Sequence, residues 1–182
     1  MATQATQQSI WALDPSHTLV EFSVRHMMVA TVKGRFGGVQ GNVVIDEESG
    51  TPVSVDVTID AASVDTRDEK RDAHLRSADF FDVENHPHLT FKSTRIERVG
   101  DEQFTIVGDL TIRGTTREVT LDTTFNGRGT NPWGQAVAGA SATTSVNRHD
   151  YGLSWNVALE TGGFLVGDTI KISLEVELIK QG

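Results

Sequence analysis

The sequence contains no cysteine and only four prolines in 182 residues. The first absence excludes disulfides, thiolate metal sites, iron–sulfur clusters and a cysteine nucleophile. Long hydrophobic runs are missing too. None exceeds four residues, as at Met27–Ala30, against the ~18 that a membrane-spanning helix needs. Positive charge is scarce: 16 Lys+Arg against 25 Asp+Glu leave a net −9, which opposes binding to DNA, RNA or an anionic membrane surface. Residues 1–9 carry neither basic residues nor an apolar stretch, so no secretory signal is read there and the expected location is the cytoplasm. Those nine residues are read as a flexible tail, and 10–182 as one domain.

What is present is the composition of a globular protein, 37% hydrophobic and 23% charged, with 17 glycines. Its strongest signal is a period of two. Val53, Val55, Val57, Ile59 and Ala61 alternate with polar residues, as do Phe104, Ile106, Leu110 and Ile112, then Val119, Leu121, Thr123 and Phe125, then Ile170 through Leu178. One apolar face per strand marks an antiparallel sheet. Further strands are expected at Thr18–Ala30, Val39–Asp46, Leu89–Val99 and Gln135–Val146. Hairpin turns are read at Glu47–Gly50, Gly100–Glu102 and Arg113–Thr115. Gly34-Arg35-Phe36 and Gly37-Gly38 read as a bend or bulge. About eight such strands must pair as a sandwich or close into a barrel, and a barrel of that size is either filled with side chains or holds one small ligand.

Asp65–Ala78 breaks the alternation. It is charged, free of Gly and Pro, and reads as a solvated surface helix in which Asp68 and Arg71 support each other. Phe80 and Phe81 follow, and with Leu75 they are placed to cap a barrel end. Six histidines show no zinc-protease spacing, and His86-Pro87-His88 reads as a strand entry. His26 shares the apolar phase of Phe22 and Val24. No nucleophile elbow, Walker loop or dinucleotide fingerprint occurs, so no catalytic residue, cofactor or metal is expected.

Several motifs do resemble a known family. Asp14-Pro-Ser-His17-Thr-Leu-Val-Glu-Phe22-Ser-Val-Arg-His26 is similar to the opening D-x-x-H-[ST]-x-[VI]-x-F-x-[VI]-x-H of the YceI-like proteins. The likeness continues through Gly34-Arg-Phe36, then Arg71-Asp-Ala-His74-Leu-Arg-Ser-Ala-Asp79-Phe80-Phe81-Asp82-Val83 with Pro87. Gly108-Asp-Leu110-Thr-Ile-Arg-Gly114-Thr-Thr116 and Arg148-His-Asp-Tyr151-Gly152 complete it. The resemblance spans about Ile10 to Ile179 in the family's order. It implies an all-β, extended, lipocalin-like antiparallel barrel of eight strands with a short helical insertion near 65–78. It also implies a long apolar ligand in the lumen: a polyisoprenoid, an isoprenoid quinone or a fatty-acid derivative. Many members carry a secretory signal, which is not expected here from residues 1–9, and Tyr151 stands where Phe is more usual, adding a hydroxyl to the local lining.

Strand phase then nominates the inward residues as ligand contacts: Phe22, Val24, Phe36, Val55, Val57, Ile59, Phe91, Ile106, Leu110, Phe125, Leu174 and Val176, with Phe80 and Phe81 at the cap. Trp133 and Trp155 are candidates for an aromatic rim. His17, His26 and Arg25, from the first motif, are candidates to meet a polar headgroup at the mouth. Two other classes stay open, a hydrolase acting on an apolar substrate through His26 or a histidine–carboxylate pair, and a stress-related interaction protein with a solid core. A homodimer through an exposed edge strand or the open mouth is also compatible with the pattern.

Overall fold

The computed structural model describes residues 6–182. Eleven strands run β1 (Gln8–Leu13), β2 (Leu19–His26), β3 (Ala30–Phe36), β4 (Val39–Asp46), β5 (Thr51–Asp60), β6 (Val64–Asp65), β7 (His88–Arg98), β8 (Gln103–Ile112), β9 (Thr115–Thr130), β10 (Ala136–Asn147) and β11 (Thr169–Lys180), with one helix, α1 (Glu69–Arg76). The order is β1-β4-β5-β7-β8-β9-β10-β11, and β1 pairs back onto β11 from Trp11–Lys180 to Leu13–Leu178. Eight antiparallel strands therefore close into a barrel. From β11 the sheet also continues into β2, β3 and the two-residue β6.

β1 and β2 share β11 as a partner. Leu13 lies opposite Leu178 and Leu19 opposite Glu175. Five residues intervene on one side and two on the other, and the surplus is taken up by a 3-10 turn, Pro15–His17, capped by the Asp14 side chain accepting from the Ser16 N–H. β3 and β4 are divided in the same way by Gly37 and Gly38, the bend expected there. A Cβ on Gly38 would lie 2.8 Å from that of Asp60.

The long strands fall where the alternation puts them, and the three expected turns are present. Four expectations need correction. The chain is in β1 from Gln8, inside the segment read as a tail, while residues 1–5 of that segment lie outside the described residues. Thr18–Ala30 is not one strand, because Met27–Val29 turn the chain back after His26 and Ala30 opens β3. Gly34 is not a bend: it sits within β3 opposite Phe22, where a Cβ would meet the Phe22 ring at 2.4 Å. Its missing side chain is the space that ring occupies.

The fourth concerns α1, which is tied down rather than merely solvated. Asp68 caps it by accepting from the backbone N–H groups of Lys70 and Arg71. The Arg71 side chain instead donates to the Thr66 hydroxyl and carbonyl, both at 2.7 Å. Asp72 is buried and accepts from the Thr66 N–H and hydroxyl. Arg76 donates to the carbonyls of Ala62 and Val64. These contacts hold the helix against the segment around β6, and they place Leu75, Phe80 and Phe81 at one end of the barrel.

Candidate functional site

The barrel encloses an elongated cavity of about 280 Å³. Its lining runs along β11 from Ile170 to Leu178, roughly 26 Å of strand at ~3.3 Å per residue. Alternation supplies the walls, because every second residue of a barrel strand faces inward. Phe22 and Val24 come from β2, Phe36 from β3, Val55, Val57 and Ile59 from β5, and Phe91 from β7. Ile106 and Leu110 come from β8, Phe125 from β9, and Leu174 and Val176 from β11. The nominated strand residues thus stand together in one wall. Phe80 and Phe81 join them, with Leu75, at the helix end. Phe36 links the groups, its ring centroid 5.6 Å from those of both Phe22 and Phe81.

A glycine again makes room for a ring here. A Cβ on Gly108 would lie 2.5 Å from Phe91 Cζ and 2.6 Å from the Lys92 carbonyl oxygen. Phe91 can lie flat along the wall only because β8 is bare at that point.

Toward the opposite end, behind the lining, the core holds Trp11, which strand alternation did not single out. It is 1% exposed. Its indole N–H donates to the Ser9 hydroxyl at 2.8 Å, and Arg128 and Lys180 lie over its ring at 5.1 and 5.9 Å. Ser9 in turn donates to Glu47, and that bond, followed by Lys180 and Arg128, holds the Glu47 carboxyl below its ordinary range. The signal that could have found this buried indole is the phase of Ser9, Trp11 and Leu13, too short to stand out in sequence.

Five nominated residues lie outside the lining. Trp133 is 81% exposed on the β9–β10 turn, at the far end of the barrel from Trp155. Trp155 packs behind the helix-end cap, its ring 4.5 Å from His74 and 5.5 Å from Phe80. His17 is exposed, and its Nδ1 bonds Asp14 Oδ2 at 2.8 Å, with Glu177 3.7 Å away. Asp14, followed by Glu177, pushes the His17 pKa up, and His17 with Ser16 pulls that of Asp14 down. These three residues are the described chain's one grouping with metal-ligand spacing, and the hydrogen bonds already present account for it. Arg25 is exposed and donates to the Thr31 hydroxyl and the Met28 carbonyl. His26 keeps the inward phase but lies past the end of the lining, bridged to Val166.

Polar side chains in the wall are few: Thr18, Thr123, Thr144, Arg148 and Tyr151. The last two belong to the 3-10 turn Arg148–Tyr151 between β10 and β11, and sequence phase could not place them because a tight turn has no period of two. Arg148 is 3% exposed, donating to the carbonyls of Gly167, Leu153, Trp155 and Val166. Burial pulls its pKa below the ordinary value, and the Asp168 carboxylate opposes that shift.

A closed antiparallel barrel around a carbon-walled cavity defines a class of protein built to enclose an apolar molecule. The chain belongs to the YceI-like domain family, whose model matches residues 11–178. It is 39% identical over 165 residues to a UPF0312 protein of Staphylococcus epidermidis, covering 90% of this chain and 94% of that one. A UPF0312 protein of Staphylococcus aureus is 37% identical over 168 residues, with 92% and 95% covered. Among solved structures, the YceI protein of Campylobacter jejuni superposes with a TM-score of 0.75 at 29% identity, over 87% of this chain and 90% of that one. BcnA of Burkholderia cenocepacia gives 0.78 at 23%, over 91% and 98%. A polyisoprenoid binding domain from Saccharophagus degradans gives 0.66 at 14%, over 96% and 100%. The last two share the fold. Among the described residues no helix is long and apolar enough to cross a membrane.

Proposed function

We propose that this protein binds one long apolar chain in its barrel, a polyisoprenoid, an isoprenoid quinone or a fatty-acid derivative, as a carrier, store or sensor of that lipid and not as an enzyme. The observation that carries this reading is the cavity. A void of about 280 Å³ left empty at ~24 cal/mol per Å³ would cost about 7 kcal/mol. That is comparable to the whole ~5–15 kcal/mol by which a domain is stable. An apolar guest offsets this cost, and a wall with so few polar groups gives water nothing to hold it. The same void argues against a solid-core interaction protein. The hydrolase reading is weakened because neither His26 nor any histidine–carboxylate pair is among the lining residues.

Affinity is bounded from above. Burying about forty carbons at ~0.8 kcal/mol each gives a gross ~32 kcal/mol, beyond the ~18–21 kcal/mol ceiling of non-covalent binding. Ordering the chain takes back much of the gain, or part of the tail stays outside. Each methylene discriminates by only ~1–3 kcal/mol, so selectivity is broad and follows chain length. A relative of this fold described as a polyisoprenoid binding domain is in keeping with the reading.

The test is uptake of a polyprenol by delipidated protein, comparing the wild type with Val57→Trp and Ile106→Trp. Both positions face the cavity, and an indole at either projects into it and obstructs its length. Loss of uptake with a retained folded signature by circular dichroism is the expected result. Full uptake by both variants would mean that the chain binds elsewhere.

A further inference from the structure

Five large apolar side chains stand in solvent at the end of the barrel where β11 begins: Met27, Met28, Val29, Val157 and Phe164, each between 45% and 79% exposed. They sit on two tight turns that the backbone ties together. Residues 157–165 form a small hairpin, with Ala158 opposite Phe164 and the Leu165 N–H donating to the Val157 carbonyl. Its second arm runs beside the end of β2, where the Met27 N–H donates to the Leu165 carbonyl and His26 lies opposite Val166. At the tips Met28 Sδ takes the place that a Cβ on Gly163 would need. Apolar residues scattered singly over a surface need no explanation, whereas a contiguous group marks a contact site. The backbone points the same way. φ is positive at Met27, Met28, Gly162 and Gly163, and the two methionines hold that costly geometry with little packing in return.

What the group is continuous with decides its partner. Val24 and Val166 line the cavity. The exposed group begins three residues past the first, at Met27, and two residues from the second, at Phe164. Cavity wall and exposed patch therefore share the same two arms of chain. Resting on the lipid-binding reading above, we propose that this apolar lip docks on the surface of a lipid bilayer, so that the ligand passes between membrane and cavity at this end of the barrel.

Charge and size narrow the occupant. The arms bring Arg25, Glu160 and Asp168 to the lip, and Asp168 is bonded by His149. The lip thus has no excess of positive charge, and the whole chain carries −9. A zwitterionic surface fits it, and an anionic one is repelled. A second copy of the chain fits less well, because five side chains on two turn tips fall short of the ~20–30 residues a side of a stable protein interface. A bilayer accepts a few inserted side chains, with an affinity that scales with the apolar area they bury.

The experiment is co-flotation of the full-length protein with phosphatidylcholine vesicles, repeated with vesicles in which about a third of the lipid is phosphatidylglycerol. Met28→Asn combined with Phe164→Ser should lower the partition onto phosphatidylcholine at least about ten-fold. Trp133→Ser, which removes the 81%-exposed indole of the far end, should lower it less than about two-fold. The wild type should float less well with the anionic vesicles. Equilibrium uptake of a polyprenol by the double variant should match the wild type within about two-fold, because neither position lines the cavity. No flotation of the wild type with phosphatidylcholine, stronger flotation with the anionic vesicles, or an equal loss on Trp133→Ser would overturn the proposal and leave lipid binding standing. So would a wild-type dimer that the double variant dissociates while neither floats, which would assign the patch to a second copy. Failure of the wild type to take up polyprenol would instead overturn the reading on which the proposal rests.

Discussion

His17 shows how one residue can carry a motif without entering the site. It stands in the first motif, where it was nominated for a headgroup, yet its ring is on the outside, bonded to Asp14 and facing Glu177. Its work is to hold the 3-10 turn that divides β1 from β2. The pH dependence follows from the directions of the two shifts. His17 is raised from an ordinary 6.5, so its contribution is complete below that value and fades as pH rises through the higher folded pKa. Asp14 is lowered from an ordinary 3.8, so its contribution is complete above that value and fades as pH falls through the lower folded pKa. The pair should therefore stabilise most between about pH 4 and 6.5. Melting midpoints measured across pH 3–9 should show His17→Ala losing a small increment in that window and converging on the wild type at alkaline pH. A deficit that is constant with pH would contradict an ionic role. The inward residues were legible because phase alone assigns them. Trp11 and Arg148 were not, since a short strand and a 3-10 turn give no sustained period, and Tyr151 was placed at the lining by the family resemblance alone.

At the scale of elements, the hairpin between β2 and β3 departs most from local preference. Met27 and Met28 have φ of 51° and 62°, left-handed values that a tight hairpin demands and that Asn-Gly meets at least cost. Both side chains are exposed, at 46% and 62%, so little packing offsets the strain. Replacing Met27-Met28 by Asn-Gly should stabilise the protein by about 1 kcal/mol, seen as a higher urea midpoint with an unchanged slope. A lower midpoint would show that the methionines do pack, Met28 against Gly163 being the contact to examine. The same hairpin explains why β3 was missed. Its inward row reads Val32, Gly34, Phe36, an apolar face with a gap that only the Phe22 ring, from the partner strand, fills. α1 was misread for the opposite reason: its charges look solvated in sequence, and only the neighbouring carbonyls and Thr66 show that they are spent on the fold.

For the whole molecule, the period of two settles an antiparallel sheet of about the right number of strands. It does not settle whether the barrel is full, since the same residues serve as core or as wall. Even closure is non-local, resting on a β1–β11 pairing between the two ends of the chain. The cavity appears only when eight rows of side chains are placed around one axis and fail to meet. What fills it is tested most directly by native mass spectrometry of the purified protein, with organic extraction and mass analysis of the extract. A stoichiometric long-chain species, lost on extraction and regained on adding a polyprenol, is the expected result. A protein that purifies at its bare chain mass and takes up neither prenyl chains nor fatty amides would contradict lipid binding.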